Sequence, residues 1–265
     1  MMTSQRLLET TLIGAAAVLF AGANLRLPER QPIVAQPVPL HTTTAASASA
    51  PDSTVATSQT SRALTAFASM VQSLSTPKAL ESAVRSYFAF KSAHPNDVKK
   101  PLLYFVDYGL PSTKPRGYVL DMNSLKVVDG PFTVAAGRGS AANSKGIPTR
   151  FSNAFGSAAT SLGLYVTKAL YAFTGHSGGQ TYSSIGLRLM GVSTGFNDNA
   201  FARGVVAYGA PYVTADKAGR SQGCPAMEPS RAKELLPKLA NGAMVYLFAP
   251  DANWMSRDPW LDDSN

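Results

Sequence analysis

Residues 102–134, which read LLYFVDYGLPSTKPRGYVLDMNSLKVVDGPFTV, decide the fold class of this 265-residue chain. The stretch contains three runs rich in Val, Leu, Phe and Tyr: Leu102–Tyr108, Arg116–Met122 and Val127–Val134. Gly, Pro, Asn and Ser residues separate the runs. Short aromatic and β-branched runs bounded by such turn residues are typical of strands. We therefore expect three consecutive strands here.

Similar runs continue downstream and predict further strands at Leu162–Val166, Ile185–Met190, Gly204–Tyr208 and Met244–Phe248. One short helix is expected at Pro229–Leu236, opened by Pro229 and ended by Pro237. Many short strands with Gly-rich turns and few helices favour a mainly β domain.

Two helices are expected before the strands, at Ser61–Ser73 and Pro77–Lys91. Thr76 is a good N-cap for the second helix, and Pro77 suits its first position. The predicted fold class is thus mainly β with an N-terminal α-helical segment. The segment covers residues 61–97, and the β domain covers residues 98–265.

The first 60 residues predict export rather than a folded domain. Residues 1–25 combine Arg6, an apolar run from Leu12 and a small-residue site at Ala21–Ala23, as a signal peptide does. An uncleaved N-terminal anchor is the alternative. Residues 26–60 are rich in Pro, Ala, Ser and Thr, which predicts a disordered linker. We expect a periplasmic or cell-wall-facing protein.

The chain is basic, with 24 Lys and Arg against 16 Asp and Glu, a net charge of +8. Residues 1–60 are neutral, so the whole excess falls on the predicted folded part. A basic exported domain indicates an anionic partner, such as cell-wall polymer, lipid headgroups or nucleic acid. We see no basic stripe with interleaved aromatics, so nucleic acid is not expected and wall polymer fits best. A single Cys excludes a disulfide framework and a multi-Cys metal site within the chain.

Two short motifs match known catalytic patterns without their partners. Gly175–Gly179 fits the G-x-S-x-G nucleophile elbow, but no His follows His176, so we interpret it as a glycine-rich loop. Ser75–Lys78 fits S-x-x-K, but S-D-N and K-T-G are missing, so a helix cap explains it better.

The segment Gly219–Met227, GRSQGCPAM, contains the only Cys of the chain, Cys224. A lone Cys is most often a small buried hydrophobe. Here, however, its flanks are polar and turn-forming. Gly223 allows a backbone bend that could point adjacent amides at an oxyanion. Arg220 is a nearby positive charge that could favour the thiolate.

Collinear stretches between residues 102 and 227 carry a resemblance to a known family. They are Tyr104–Asp107, Gly117–Asp121, Ala136–Gly139, Thr149–Asn153, Ser161–Tyr165, Leu187–Leu189, Gly195–Ala200, Gly209–Val213, Gly219–Ser221 and Gly223–Ala226. Together they resemble the L,D-transpeptidase (YkuD-like) family, in its murein L,D-transpeptidase catalytic-domain branch. The resemblance implies a barrel-like β sandwich and no metal or organic cofactor.

The resemblance also implies a mechanism in which Cys224 is the nucleophile. Cys224 would attack the peptide bond after the L-centre of the stem diamino acid, release a terminal D-amino acid and form a thioester. An amine, from a diamino acid side chain or a D-amino acid, or water would then resolve it. The amides of Gly223 and Cys224 are the expected oxyanion donors, and Ser221 matches the family's Ser or Thr. The partners are peptidoglycan stem peptides, and a monomer is expected.

One departure from the family pattern concerns the base. Tyr208 stands where the family places its catalytic His, 16 residues before Cys224, and Gln222 fills a slot where many relatives carry His. A neutral phenol cannot take up a thiol proton as imidazole does. Loss of general-base help typically costs ~10²–10⁴ in rate.

Three interpretations follow from this departure. His176 could replace the missing base. Alternatively, Arg220 and local amides ionise Cys224 while Tyr208 only orients it. In the third, the chain is a non-catalytic, cell-wall-binding pseudoenzyme that retains the fold. Arg188 and Arg203 could bind substrate carboxylates with their bidentate forks, or pair with Asp198 or Asp216.

Overall fold

The computed structural model describes residues 53–261. The predicted export signal and most of the predicted linker therefore lie outside the described residues. The described helices are α1 (Ser53–Phe67), α2 (Pro77–Ala93), α3 (Pro229–Leu239) and α4 (Ala252–Met255). The described strands are β1 (Leu102–Asp107), β2 (Gly117–Asp121), β3 (Lys126–Phe132), β4 (Ala136–Gly137), β5 (Gly163–Ser177), β6 (Gln180–Gly191), β7 (Val206–Gly209), β8 (Arg220–Ser221), β9 (Ala226–Met227) and β10 (Met244–Phe248).

Eight of these strands form one mixed sheet in the order β3-β2-β1-β10-β5-β6-β7-β9, and β4 pairs with β8 in a second, two-stranded sheet. The β1/β10, β7/β9 and β4/β8 pairs are parallel, and the other pairs are antiparallel. The mainly β fold with N-terminal helices is thereby confirmed.

The core is built around β1 and β10, the central strands of the sheet. Every residue of β10 is buried, and all of β1 except Leu102 is buried as well. Strands without polar alternation are buried on both faces. Helix α2 covers this region, with Tyr87 and Phe88 buried in the same cluster.

Helix α2 agrees with the prediction, whereas α1 starts and ends earlier than predicted. It begins at Ser53 instead of Ser61, inside the stretch predicted as linker, and ends at Phe67 instead of Ser73. Ala63 and Phe67 are fully buried against the core. Tertiary packing of one face thus supports a helix that its composition disfavoured.

The S-x-x-K match belongs to the start of α2. Thr76 occupies the N-cap position in extended conformation, and Pro77 follows as the first helical residue. Ser75 donates its amide and its hydroxyl to the buried Asp107 carboxylate, at 2.7 and 2.8 Å. This serine therefore joins α2 to β1, as expected for a structural rather than a catalytic segment.

Helix α3 continues past the predicted stop, so Pro237 lies inside it. A proline removes one helical hydrogen bond, here to the carbonyl of Lys233 on the exposed side of the helix. Leu236 and Leu239 are fully buried and hold the last turn on the core.

The segment interpreted as a glycine-rich loop is instead the tip of a long hairpin formed by β5 and β6. Ser177 pairs with Gln180, and Gly178 and Gly179 form a two-residue turn with φ of +57° and +78°. Two positive φ angles are what a type I′ hairpin turn needs. The predicted strands covered only the buried base of the hairpin, because in its outer half exposed residues alternate with half-buried ones and no continuous buried run is present.

The C-terminal residues pack onto the domain. Trp254 is buried and donates to Asp258 at 2.8 Å, and the indole of Trp260 donates to the carbonyl of Val192 at 2.7 Å. In residues 53–261 we find no helix with the length and apolarity needed to cross a membrane.

Candidate active site

Cys224 lies on a tight turn between β8 and β9. One end of the turn pairs with β4 and the other with β7, so two sheets fix its position. Gly223 has a φ of +129°, and a Cβ there would lie 2.9 Å from the carbonyl oxygen of Ala159. Only glycine suits this conformation and this close approach.

Two buried hydroxyls hold the turn. The Ser221 hydroxyl donates to the Cys224 carbonyl at 2.6 Å and accepts from the Gly223 amide at 3.1 Å. The Thr160 hydroxyl donates to the Gly223 carbonyl at 2.9 Å and accepts from the Gly137 amide at 3.0 Å. Sequence analysis did not identify Thr160, which lies in an ordinary Ala-Ala-Thr-Ser stretch without a distinguishing motif.

Thr160 controls the direction of the Cys224 amide. The Gly223 carbonyl and the Cys224 N–H belong to one planar peptide unit, in which they point in opposite directions. Fixing the carbonyl on Thr160 therefore fixes the N–H. Within residues 53–261 the Cys224 amide has no acceptor, whereas the Gly223 amide is engaged by Ser221. Of the two predicted oxyanion donors, the Cys224 amide is available, whereas the Gly223 amide must first release its hydrogen bond to Ser221.

The Cys224 thiol is half-buried, and the Val206 amide points at its sulfur from 3.5 Å. Burial raises the pKa of the thiol above its ordinary 9.0, and the Val206 amide and the Arg203 charge lower it less. Burial therefore favours the neutral thiol over the thiolate at neutral pH. The resting state is a neutral thiol.

Arg203 does not form the ion pair with Asp198 or Asp216 that was one alternative. Its guanidinium makes four hydrogen bonds to residues 152–161, at 2.9–3.1 Å, with Ala159 among the acceptors. This segment forms the wall behind Gly223. Arg203 therefore orders the wall of the site, and its charge is the one that acts on the thiol.

Arg220 has a different role from the predicted one. Its guanidinium donates to the carbonyls of Ala141 and Ala142, at 3.1 and 3.2 Å. The charge that favours the thiolate belongs to Arg203 rather than to Arg220. Sequence proximity to Cys224 was misleading because β8 runs beside β4 and carries this side chain towards residues 141–142.

Tyr208 lies on β7 within an aromatic cluster. Its hydroxyl is hydrogen-bonded to that of Tyr212, and its ring packs edge-on against Phe173, with centroids 5.5 Å apart. Burial, reinforced by the neighbouring hydroxyls and the thiol, raises the pKa of Tyr208 well above its ordinary value. The phenol stays neutral at any physiological pH and cannot accept the Cys224 proton.

His176 lies near the exposed tip of the hairpin, where its ring contacts the Thr181 hydroxyl at 3.3 Å. Tyr208 pairs with Gly186, which pairs with Tyr171 on β5. His176 is five residues further along β5, or about 16 Å at 3.3 Å per residue. This register places His176 towards the exposed tip of the hairpin, and the charged group that acts on the thiol is Arg203.

Arg188 keeps an exposed guanidinium close to the site. It pairs in register with Val206, whose amide faces the thiol, and its guanidinium lies 4.6 Å from the centre of the Tyr171 ring. It forms no ion pair within the described part of the chain. Nor do residues 53–261 contain a group of three or more His, Cys, Asp or Glu that could hold a metal ion.

A nucleophilic thiol beside its own free amide is an arrangement that can support acyl transfer, because the amide can donate to an oxyanion. The profile of the L,D-transpeptidase catalytic domain matches residues 72–248, which is two thirds of the chain. The chain therefore belongs to the L,D-transpeptidase catalytic-domain family, a family that acts on peptidoglycan stem peptides.

Similarity to solved structures is weak. An L,D-transpeptidase from Mycobacterium smegmatis shares 13% identity over 56% of this chain and 59% of its own, with a TM-score of 0.35. The LD transpeptidase LdtMt1 in complex with imipenem has the same identity and coverage, with a TM-score of 0.36. An L,D-transpeptidase from Stackebrandtia nassauensis shares 18% identity over 64% of this chain and 66% of its own, with a TM-score of 0.34. The chain thus spans less than two thirds of the length of these proteins. No curated protein matches it significantly.

Proposed function

We propose that the chain is a cysteine-dependent peptidoglycan L,D-transpeptidase or L,D-carboxypeptidase that acts on the stem tetrapeptide through a thioester on Cys224. One observation carries the proposal. The thiol sits beside its own unengaged amide on a turn that Ser221 and Thr160 clamp from both sides. A nucleophile next to a fixed N–H donor is what an acyl-transfer site requires.

In the proposed reaction the Cys224 sulfur attacks the carbonyl carbon after the L-centre of the diamino acid. A C–S bond forms, the C–N bond to the terminal D-amino acid breaks, and the thiol proton ends on the leaving amine. The Cys224 amide donates to the oxyanion of the tetrahedral intermediate. An incoming amine then breaks the C–S bond to give a crosslink or an exchanged amino acid, and water gives the shortened stem peptide.

Removal of the Cys224 thiol proton is the slow step of the proposed reaction. We take Tyr208 to occupy the position of the family's catalytic His, and its raised pKa excludes it as a base. The reaction then depends on the small thiolate fraction that Arg203 and the Val206 amide sustain. Cysteine is nucleophilic enough for slow turnover from a small ionised fraction.

The same observations favour a second candidate, a non-catalytic protein that binds the cell wall. A neutral thiol and a neutral phenol together lack the base that efficient acyl transfer uses. In this alternative the protein retains the fold and binds stem peptides without cleaving them.

Intact-protein mass spectrometry separates the two candidates. The chain is incubated with a disaccharide tetrapeptide, with Cys224→Ala as the matched control. The proposal predicts a thioester adduct on the parent chain, together with loss of the terminal D-amino acid or dimer formation, none of it with the control. Unchanged tetrapeptide and no adduct, with protein shown to be folded, would favour the binding protein.

We also propose that the chain acts outside the cytoplasm, on the basis of the signal-like residues 1–25 and the Pro-, Ala-, Ser- and Thr-rich residues 26–60. Cell fractionation tests this directly. Recovery of the protein with the periplasm or the wall is expected, and recovery in the cytoplasm would contradict it.

A further inference from the structure

Six exposed basic side chains lie on three hydrogen-bonded segments next to the Cys224 turn. They are Lys114, Arg138, Lys145, Arg150, Lys217 and Arg220, and we refer to them as the basic ledge. They come from three segments of the chain, residues 110–118, 138–150 and 212–222.

Contacts between the three segments make the ledge one surface. The Ser112 hydroxyl donates to the Ser144 carbonyl, and the Ala218 amide donates to the Ser112 carbonyl at 3.2 Å. Arg220 reaches Ala141 and Ala142, as described above. The ledge also meets the active site directly, because Arg138 donates to the Gln222 side chain at 2.8 Å, two residues before Cys224.

The protein offsets only a small part of the ledge charge, through Asp216 beside Lys217. Asp216 is the one acidic residue in the three segments, and the Thr214 hydroxyl donates to its carboxylate at 2.6 Å. The ion pairs of residues 53–261 lie elsewhere, between Arg85 and Glu81, His94 and Asp97, and Arg231 and Asp129. Clustered charges of one sign raise the local concentration of an oppositely charged partner.

We infer that the basic ledge binds a peptidoglycan strand through the carboxylates of its stem peptides, and so holds the strand beside Cys224 in addition to the contacts within the catalytic turn. The identity of the partner rests on the proposed function. The binding itself does not, because the ledge would act equally in a catalytic and in a non-catalytic protein.

A strand with a carboxylate on every stem suits this surface better than a single small anion does. Each exposed charge pair is weak, and several must act together to give useful affinity. Because all six side chains are solvent-exposed, salt should screen them strongly at distances beyond about 8 Å at physiological ionic strength.

The experiment measures co-sedimentation of the full chain with purified sacculi at increasing salt, in a Cys224→Ala background that prevents turnover. The ledge variant carries Lys114→Gln, Lys145→Gln, Arg150→Gln and Lys217→Gln, four positions whose side chains make no hydrogen bond within residues 53–261. The matched control carries Lys78→Gln, Lys99→Gln, Lys233→Gln and Lys238→Gln, which remove the same charge from other exposed sites. Melting temperatures check that both variants are folded.

We expect the ledge variant to bind sacculi about tenfold more weakly at low salt and to lose most of its salt dependence, since four exposed pairs each contribute a fraction of a kcal/mol. The control should bind as the parent does. If both variants lose binding equally, the loss comes from net charge alone and the inference is wrong. The inference is also wrong if the ledge variant binds as the parent does.

Two further arms identify the partner. Sacculi whose carboxylates have been converted to amides should lose the ledge-dependent binding. Persistence of that binding, or ledge-dependent binding to phosphatidylglycerol vesicles but not to sacculi, would overturn the assignment. Thioester formation is measured separately on the chain with Cys224 intact. If no thioester forms while ledge-dependent binding is found, the proposed chemistry fails and the inference stands.

Discussion

Replacing Thr160 by Val tests whether its hydroxyl positions the oxyanion donor. The substitution keeps the shape of the side chain and removes the hydroxyl from a fully buried site. The Gly137 amide and the Gly223 carbonyl then both lose their partner. Each buried unsatisfied group costs about 1–3 kcal/mol, so the free energy of unfolding should fall by about 2–6 kcal/mol. Typical domains have about 5–15 kcal/mol in total, so the loss is large.

The same change should reduce activity for a separate reason. Once the Gly223 carbonyl is released, the peptide unit that carries the Cys224 amide can rotate. Loss of one oxyanion donor typically costs about 10²–10³ in rate. The assays are urea unfolding followed by circular dichroism, and the rate of Cys224 acylation by a tetrapeptide followed by mass spectrometry.

Two controls separate the role of the hydroxyl from a general loss of stability. Thr160→Ser retains the hydroxyl and should keep both the acylation rate and most of the stability. Ser193→Ala removes another buried hydroxyl, which accepts a 3.0 Å hydrogen bond from the Leu164 amide and has no contact with the Cys224 turn. This variant should lower stability but not the acylation rate. If the Val and Ser variants at position 160 match each other in both assays, Thr160 does not hold the turn.

Three further predictions concern the thiol, the phenol and the glycine of the site. Alkylation of Cys224 by iodoacetamide should accelerate with pH to a midpoint above 9.0, because thiolate is the reactive form and burial raises the pKa of the thiol. Arg203→Met should move that midpoint to higher pH, and Arg203→Lys should move it less. If the variants show the same pH profile as the parent, Arg203 does not affect the pKa of the thiol. Tyr208→His should lower the melting temperature yet raise the acylation rate by up to ~10²–10⁴; no gain in folded protein would indicate another base. Gly223→Ala should destabilise the fold by roughly 1–3 kcal/mol or more, because φ is +129° there. If the variant unfolds as the parent does, this position imposes no backbone strain on alanine.

The structure links the chemistry of the site to its stability. The raised pKa values of Cys224 and Tyr208 both follow from burial in one aromatic and aliphatic cluster, which also holds Phe173 and Tyr212. Burial favours neutral forms over ionised ones. The packing that stabilises this edge of the sheet therefore works against ionisation of the nucleophile.

Much of the architecture could be predicted from local sequence. The strand Met244–Phe248 has the predicted bounds, and Leu102–Tyr108 differs from β1 by one residue, because both strands are buried and read as continuous apolar runs. The hairpin was the main failure. In its outer half, half-buried residues alternate with exposed ones and no continuous buried run forms, and two Gly residues suggested a loop where they form a two-residue turn.

Within the site, the sequence by itself determined the chemical types: one cysteine, flanked by a glycine that permits the bend and by a serine three residues earlier. The tertiary structure decided how they are used. It brought Thr160, 64 positions before Cys224, to the peptide unit of the thiol, and it placed the charge of Arg203 rather than Arg220 nearby. The physical reason is that these contacts are made across strands and loops distant in sequence. A hydroxyl or a guanidinium acquires its role from the groups that chain topology places beside it, and local patterns do not encode that neighbourhood.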